Sequence, residues 1–293
     1  MSGSRSLVCR AAVIAGLAII ASGIIAAPSL YAQGGQSQPP AQQGDKPKTP
    51  EATPLTLDAA APVAPTTPEE EAAYKVFHDT AVTETNKKIE LGEAFLQKYP
   101  QSRYRPPIYA SLAYQYLQVG KVDKMREYGE KEIELTPNDV STLALLGQTL
   151  PRSIHGNPPD AAQTLTKAEK YSKQAIEITP TLPKPAELSD DQFEKAKNQT
   201  LAMAHSGLGL IFVRRGKYAE AIPELEQSIK IDVTPDPVNY YLLGLANKST
   251  SHFDDAVTAF NKCAALPGTM QTTCKSGAED AKKAGSTQLS APK

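Results

Sequence analysis

Residues 202–235 read AMAHSGLGLIFVRRGKYAEAIPELEQSIKIDVTP, and residues 237–270 read PVNYYLLGLANKSTSHFDDAVTAFNKCAALPGTM. Set in register, Leu208-Gly209 falls on Leu243-Gly244, Tyr218 on Phe253, Ala221 on Ala256, Leu225 on Phe260 and Ile231 on Leu266. The offset is 35 residues throughout, as in 244 minus 209. Self-similarity at a period of roughly 20–50 residues marks a stack of repeated units. Within the first line, Leu208, Ile211 and Phe212, then Ala221, Ile222, Leu225 and Ile229, recur at helical spacing. Arg214-Arg215-Gly216-Lys217 separates the two groups, and glycine is a common helix stop. Each unit therefore reads as a helix A, a tight turn and a helix B.

Gly209 and Gly244 stand in the middle of helix A. Glycine there costs up to about 1 kcal/mol relative to alanine, so its use twice at one station implies a close approach by a neighbouring helix. Ala221 and Ala256 do the same from helix B, while Tyr218, Phe253, Phe260 and Leu225 fill the space between. These residues resemble the tetratricopeptide repeat (TPR) family: a bulky residue, Leu-Gly, an aromatic, Ala, an aromatic, Ala and a closing Pro. The second line matches at Tyr240, Leu243-Gly244, Phe253, Ala256 and Phe260, and the first at Leu208-Gly209, Phe212, Tyr218 and Ala221. His205 and Asn247 depart from the pattern, and Val233 stands where the closing Pro belongs, with Pro235 two residues later. The resemblance implies an all-α fold, a right-handed α-solenoid of antiparallel helix pairs.

The rest of the chain extends the stack to about five repeats over 69–284. Thr67-Pro68-Glu69-Glu70-Glu71 is a helix start, with a capping Thr, Pro at the first position and acids at the positive end of the dipole. It opens a divergent first repeat over 69–103, with helices to about Asp79 and from about Thr83 to Lys98. In 106–139, Tyr109, Leu112-Ala113 and Tyr116 mark helix A, Gly120 the turn, Met125, Tyr128 and Ile133 helix B, and Pro137 the close. The third repeat, 140–182, opens at Val140 and carries Leu143, Leu146-Gly147 and Leu150. Three Pro and a Gly over 151–159 are expected to form an inserted loop, with helix B resuming near Asp160. After a Pro-rich break, Ser189-Asp190-Asp191 caps a helix that lengthens the helix A of 202–235 by about three turns. After repeat 237–270, Pro267-Gly268 turns the chain into a polar capping helix, 271–283, followed by a flexible tail, 285–293.

Before the stack lie an address and a spacer. Arg5 and Arg10 precede an uncharged apolar run, 11–27, and then Pro28-Ser29-Leu30-Tyr31-Ala32-Gln33. This describes a signal peptide, 1–32, cut after Ala32, and places the protein in the periplasm or cell envelope. The alternative is an uncleaved inner-membrane anchor over 11–27, at the short limit for a span. Loss of the leader removes two Arg and no acid, moving the formal net charge from −1 to −3. Residues 33–68, rich in Gln, Pro, Ala and Thr, bury too little to fold and read as a disordered tether, the alternative being a docking segment.

No catalytic, cofactor or metal pattern emerges, and the chain is expected not to be an enzyme. The four His, at 78, 155, 205 and 252, form no pair at metal-ligand spacing. Gly207-Leu208-Gly209 starts like a nucleotide loop, but Phe212 stands in place of the third Gly, and the segment reads as helix interior. A near-neutral charge argues against nucleic acid as a ligand, and a membrane is a partner only if the leader stays. His205 occupies a packing position. Cys263 and Cys274 sit on consecutive helices across a short turn, within reach of a disulfide that a leader-less, exported chain would keep, the alternative being two free buried thiols.

Function is expected on the inward face of helices A, where the family resemblance implies a concave groove for a peptide or partner helix. By register, that groove is lined by Tyr114, Leu117, Gln118, Gln148, Met203, Ser206, Leu210, Arg214, Val238, Tyr241, Leu245 and Lys248, with Ser141 and Ala144 alongside. The paired Lys and Asn of the family's carboxylate-clamp subtype are not found together at the matching positions. The reading is a scaffold for protein–protein interaction or assembly, the alternative being a membrane-anchored structural component.

Overall fold

In a computed structural model, residues 66–289 are described, apart from 157 and 187. The expected leader, 1–32, and most of the tether lie outside the described residues. Eleven α-helices follow one another: α1 (Pro68–Asp79), α2 (Thr85–Lys98), α3 (Arg105–Gln118), α4 (Val122–Leu135), α5 (Val140–Ser153), α6 (Ala161–Ile178), α7 (Asp190–Arg214), α8 (Tyr218–Ile231), α9 (Pro237–Ser249), α10 (Phe253–Ala265) and α11 (Gln271–Leu289). Among the described residues there is no strand. Each odd-numbered helix from α1 to α9 packs on the next to form a pair, and α5, α7 and α9 touch in succession. The architecture is an α-solenoid of five helix pairs closed by α11.

Local signals start and stop these helices. The Thr67 hydroxyl accepts from the Glu70 N–H at 3.2 Å, with Pro68 first in α1. Residues 66–68, the end of the expected tether, are thus the entry to the first helix. Ser189 and Gln192 form a reciprocal capping box at α7. The Asp139 carboxylate caps α5 by accepting from the Ser141 N–H and the Thr142 hydroxyl, at 3.2 and 2.7 Å. The turns between helices A and B repeat one device. Gly120 and Gly216 both take φ +71°, and Ser251 takes the same station with φ 65°. After each, a backbone N–H reaches five residues back: Lys121 to Tyr116, Lys217 to Phe212 and His252 to Asn247, at 2.8–2.9 Å.

Two expected boundaries are corrected. The inserted loop is expected at 151–159, but α5 runs on through Pro151 to Ser153, and α6 opens at Ala161. Pro151 cannot donate to the Gly147 carbonyl four residues earlier. The last turn is held instead by Arg152, which binds α7 and the entry of α9. The capping helix does not stop at 283, nor does a loose tail begin at 285. The helix α11 continues to Leu289 because its small-residue stripe continues: Cys274, Ala278 and Ala281 are buried, and Gly285 sits against Phe253.

The core is one cluster from α1 into α7, including Phe77, Phe95, Leu112, Tyr116, Leu146, Leu150, Leu208 and Ile211, followed by smaller clusters around Leu225 and Phe260. Glycines set the helix spacing. A Cβ on Gly209 would lie 2.5 Å from the Leu225 side chain, and one on Gly244 would lie 2.7 Å from the Phe260 ring. Both are closer than a real contact allows. The same ring meets Gly277 of α11, where a Cβ would come within 2.8 Å, so α11 docks as one more helix A.

Candidate binding face

Register along helices A carries the expected groove residues at regular intervals, but they differ in what they leave open. Tyr114 on α3 is 38% exposed. Leu117, Gln118 and Gln148 are half-buried, Leu117 resting on the main core. Met203 packs beside Leu143 and Ala204, and Leu210, Val238 and Tyr241 pack around Leu225 and Leu242. Leu245 leans on Phe260 and Ala278. Burial pushes the Tyr241 phenol above its ordinary pKa. Lys248 approaches Asp280 of α11 at 3.9 Å. Arg214 donates to the Ile154 carbonyl at 3.0 Å, and desolvation lowers its pKa.

Two expected lining residues are not on the surface. Ser206 is 1% exposed, and Ala144 is fully buried. Ser206 instead belongs to a chain of polar contacts running through the layer of helices A. The Arg152 guanidinium donates to Asp236 at 2.8 Å and to the Ser206 hydroxyl at 3.1 Å. Ser206 donates to the Asn239 side-chain oxygen at 2.8 Å, and the Asn239 amide donates to the Ser228 hydroxyl at 3.1 Å. Ser228 closes the chain by donating to the Ala202 carbonyl at 2.8 Å. Five side chains thus tie α5, α7, α8 and the entry to α9, and Arg152 is only 9% exposed along its side chain. Arg152 stands outside the expected set because it falls in the loop expected at 151–159, and Asn239 because it lies one position off the expected groove register of α9. For Arg152 a signal is present in the sequence: it stands five residues after Gly147, as Arg214 does after Gly209.

The remaining polar candidates are structural. His205 pairs with Glu224 of α8 at 2.7 Å, away from the groove register. His78 and His252 lie at helix ends, and His155 follows α5. Cys263 and Cys274 are both buried, with Cα atoms 5.9 Å apart and sulfurs at bonding distance. Among the described residues, no three His, Cys, Asp or Glu side chains converge as a metal site would require.

What distinguishes this face is its repetition, with A helices in one layer, a glycine at several of the crossings and a left-handed residue at the same station of three turns. The tetratricopeptide repeat family model matches residues 204–232, which span the last part of α7 and all of α8. At that helix pair the chain is similar to the tetratricopeptide repeat family. Among curated proteins, none matches the chain significantly. Among solved structures, the repeat stack is similar to a thermophilic TPR protein in Thermus thermophilus, at 19% identity and a TM-score of 0.44, over 73% of this chain and 99% of that one. TPR domains generally bind protein partners, and the binding surface of this repeat protein is to be sought on its own residues. Among the described residues, no helix is long and apolar enough to cross a membrane. The expected anchor, 11–27, lies outside them.

Proposed function

We propose that this chain is a non-enzymatic assembly module of the cell envelope that takes a peptide or a helix of another protein across the layer of helices A. The observation that carries this reading is the combination of rigidity and half-exposed apolar surface in that layer. The Arg152 contacts lock three successive repeats together, while Tyr114, Leu117, Leu210, Tyr241 and Leu245 keep part of their area open between Gln118, Gln148 and Lys248. A preformed surface loses little ordering entropy on binding. Export rests on the leader pattern at 1–32, and the apposed Cys263 and Cys274 support it, because such pairs persist oxidised outside the cytosol.

A photo-crosslinking residue placed at Tyr114 or at Leu245, with a control at exposed Glu220 on α8, tests the surface in intact cells. A discrete protein adduct from the first two sites and none from Glu220 is the expected result. Adducts only from Glu220 would move the binding surface elsewhere. Sequencing the mature amino terminus separates the cleaved form, beginning at Gln33, from the anchored one.

A further inference from the structure

The second repeat carries a tyrosine cluster at the junction of three helices. Tyr116 of α3 lies between the preceding helix B, α2, and its own helix B, α4. Its ring stacks on Tyr128 with centroids 5.5 Å apart and planes 3° apart. Both phenols donate to one Glu93 carboxylate oxygen, at 2.6 and 2.9 Å. The next two repeats fill the Tyr116 station with Leu150 and Phe212, each ten residues into its line as Tyr116 is into 106–139.

The fifth repeat does not. Its residue at that station is Asn247, and Ala259 holds the station of Tyr128, 22 residues into the line in both repeats. The acceptor is retained, since Glu226 follows Leu225 on the preceding helix B as Glu93 follows Gly92 on α2. Where the two rings would be, the surface opens into a cleft of about 230 Å3 between α8 and α10, floored by α9. Glu226 and Ile229 line one side, Thr258 and Ala259 the other, and Leu243 and Asn247 the floor. Lys262 lies against the Tyr240 ring, 6.0 Å from its centroid, and forms part of the wall.

We infer that this cleft is a binding site for a tyrosine side chain presented by a partner polypeptide, its ring over Leu243 and Ala259 and its phenol donating to Glu226. The volume holds one aromatic side chain, and the acceptor stands where the second repeat uses its equivalent for the same purpose. With Glu226 and Asp255 balanced by Lys230 and Lys262 around the cleft, a neutral group is favoured over an ion. The site is separate from the helix A face, so either can fail alone.

Titration of the isotope-labelled, full-length protein with N-acetyl-L-tyrosinamide, followed by the amide signals of Leu243, Asn247 and Ala259, tests it. Saturable shifts at those residues are expected. The phenylalanine analogue, and E226Q with the tyrosine probe, should each bind about tenfold more weakly, the order expected for a hydrogen bond to a charged acceptor. N247Y, which supplies the ring from within as Tyr116 does, should keep the helical spectrum, melt no lower than the parent and lose the shifts. Absence of saturable shifts in the parent, or their persistence in N247Y, overturns the site. Equal binding of both probes, unchanged by E226Q, overturns the assignment to tyrosine.

Discussion

In the amino-terminal repeats the glycine sits on helix B and receives a leucine from the next helix A. A Cβ on Gly92 would lie 3.0 Å from the Leu112 side chain, and one on Gly129 would lie 2.9 Å from that of Leu146. In the carboxy-terminal repeats the glycine has moved to helix A, and the large residue comes from helix B of the same pair: Leu225 onto Gly209 and Phe260 onto Gly244. At these four crossings one partner is small and the other large, and either helix supplies the small one. Between the two regions, neither partner is large. Gly147 faces Ser172, and a Cβ on Gly207 of α7 would lie 2.5 Å from the Gly147 carbonyl oxygen. That carbonyl has no helical donor because Pro151 stands four residues later. The junction is therefore the tightest crossing in the stack, backbone against backbone.

This difference ranks substitutions. G207A drives a methyl into a carbonyl that cannot rotate away, and is expected to lower stability by about 3 kcal/mol in urea denaturation. G129A meets only the far end of Leu146, and alanine's better helix propensity offsets about 1 kcal/mol of the clash. A net change near zero, within about 1 kcal/mol, is expected there. Equal losses would break the distinction between the junction and the amino-terminal crossings.

The next effect belongs to the carboxy-terminal end. Cys263 and Cys274 are 11 residues apart and join α10 to α11. With the pair oxidised, C274S is expected to lower stability by about 2 kcal/mol, as for other short loops. Amide exchange should rise in α10 and α11 and stay unchanged at Leu112. Unchanged melting of C274S, with or without reductant, would show two thiols instead.

The smallest effects are titrations. A hydrogen bond from Lys173, and the pairing with Arg215, hold Glu169 below its ordinary 4.5 against the opposing effect of burial. The folded state therefore binds this proton less readily than the unfolded one. The contribution is complete above about pH 4.5 and lost as the pH falls through the depressed value. E169Q should flatten that acid limb at the junction. At the other extreme, burial first and the Glu93 carboxylate second push Tyr116 up to about 12. Stability is present below the ordinary value of 10 and lost as the pH rises from there toward 12. Y116F should remove part of this alkaline limb, read as the unfolding midpoint against pH.

The carboxy-terminal repeats were legible because their glycines stand after leucine on helix A, where the repeat pattern is sought. The amino-terminal repeats use Ala113 there and hide the glycine on helix B, so Gly92 and Gly129 carried no signal without the neighbouring helix in view. Caps at Thr67 and Ser189 and the turn at Gly120 were local in origin and could be read locally. Pro151 misled because a proline normally ends a helix, whereas here tertiary contacts from Arg152 hold the turn. Ser206 misled because register gives a direction, not the distance at which the next helix closes over it. The cleft at Asn247 needed both facts: its departure from the pattern was visible in the sequence, but the open space and the retained Glu226 were not.

The helix α7 fuses the two differently packed regions into one stack through Gly207, Leu208 and Ile211. Amide exchange at Leu225, compared between the full chain and a fragment of residues 189–289, tests it most directly. Removal of α5 and α6 uncovers that face of α7, and exchange at Leu225 is predicted to accelerate by about a hundredfold, the equivalent of about 2.7 kcal/mol of lost protection. Equal exchange rates would show that the carboxy-terminal half stands alone and would contradict the claim.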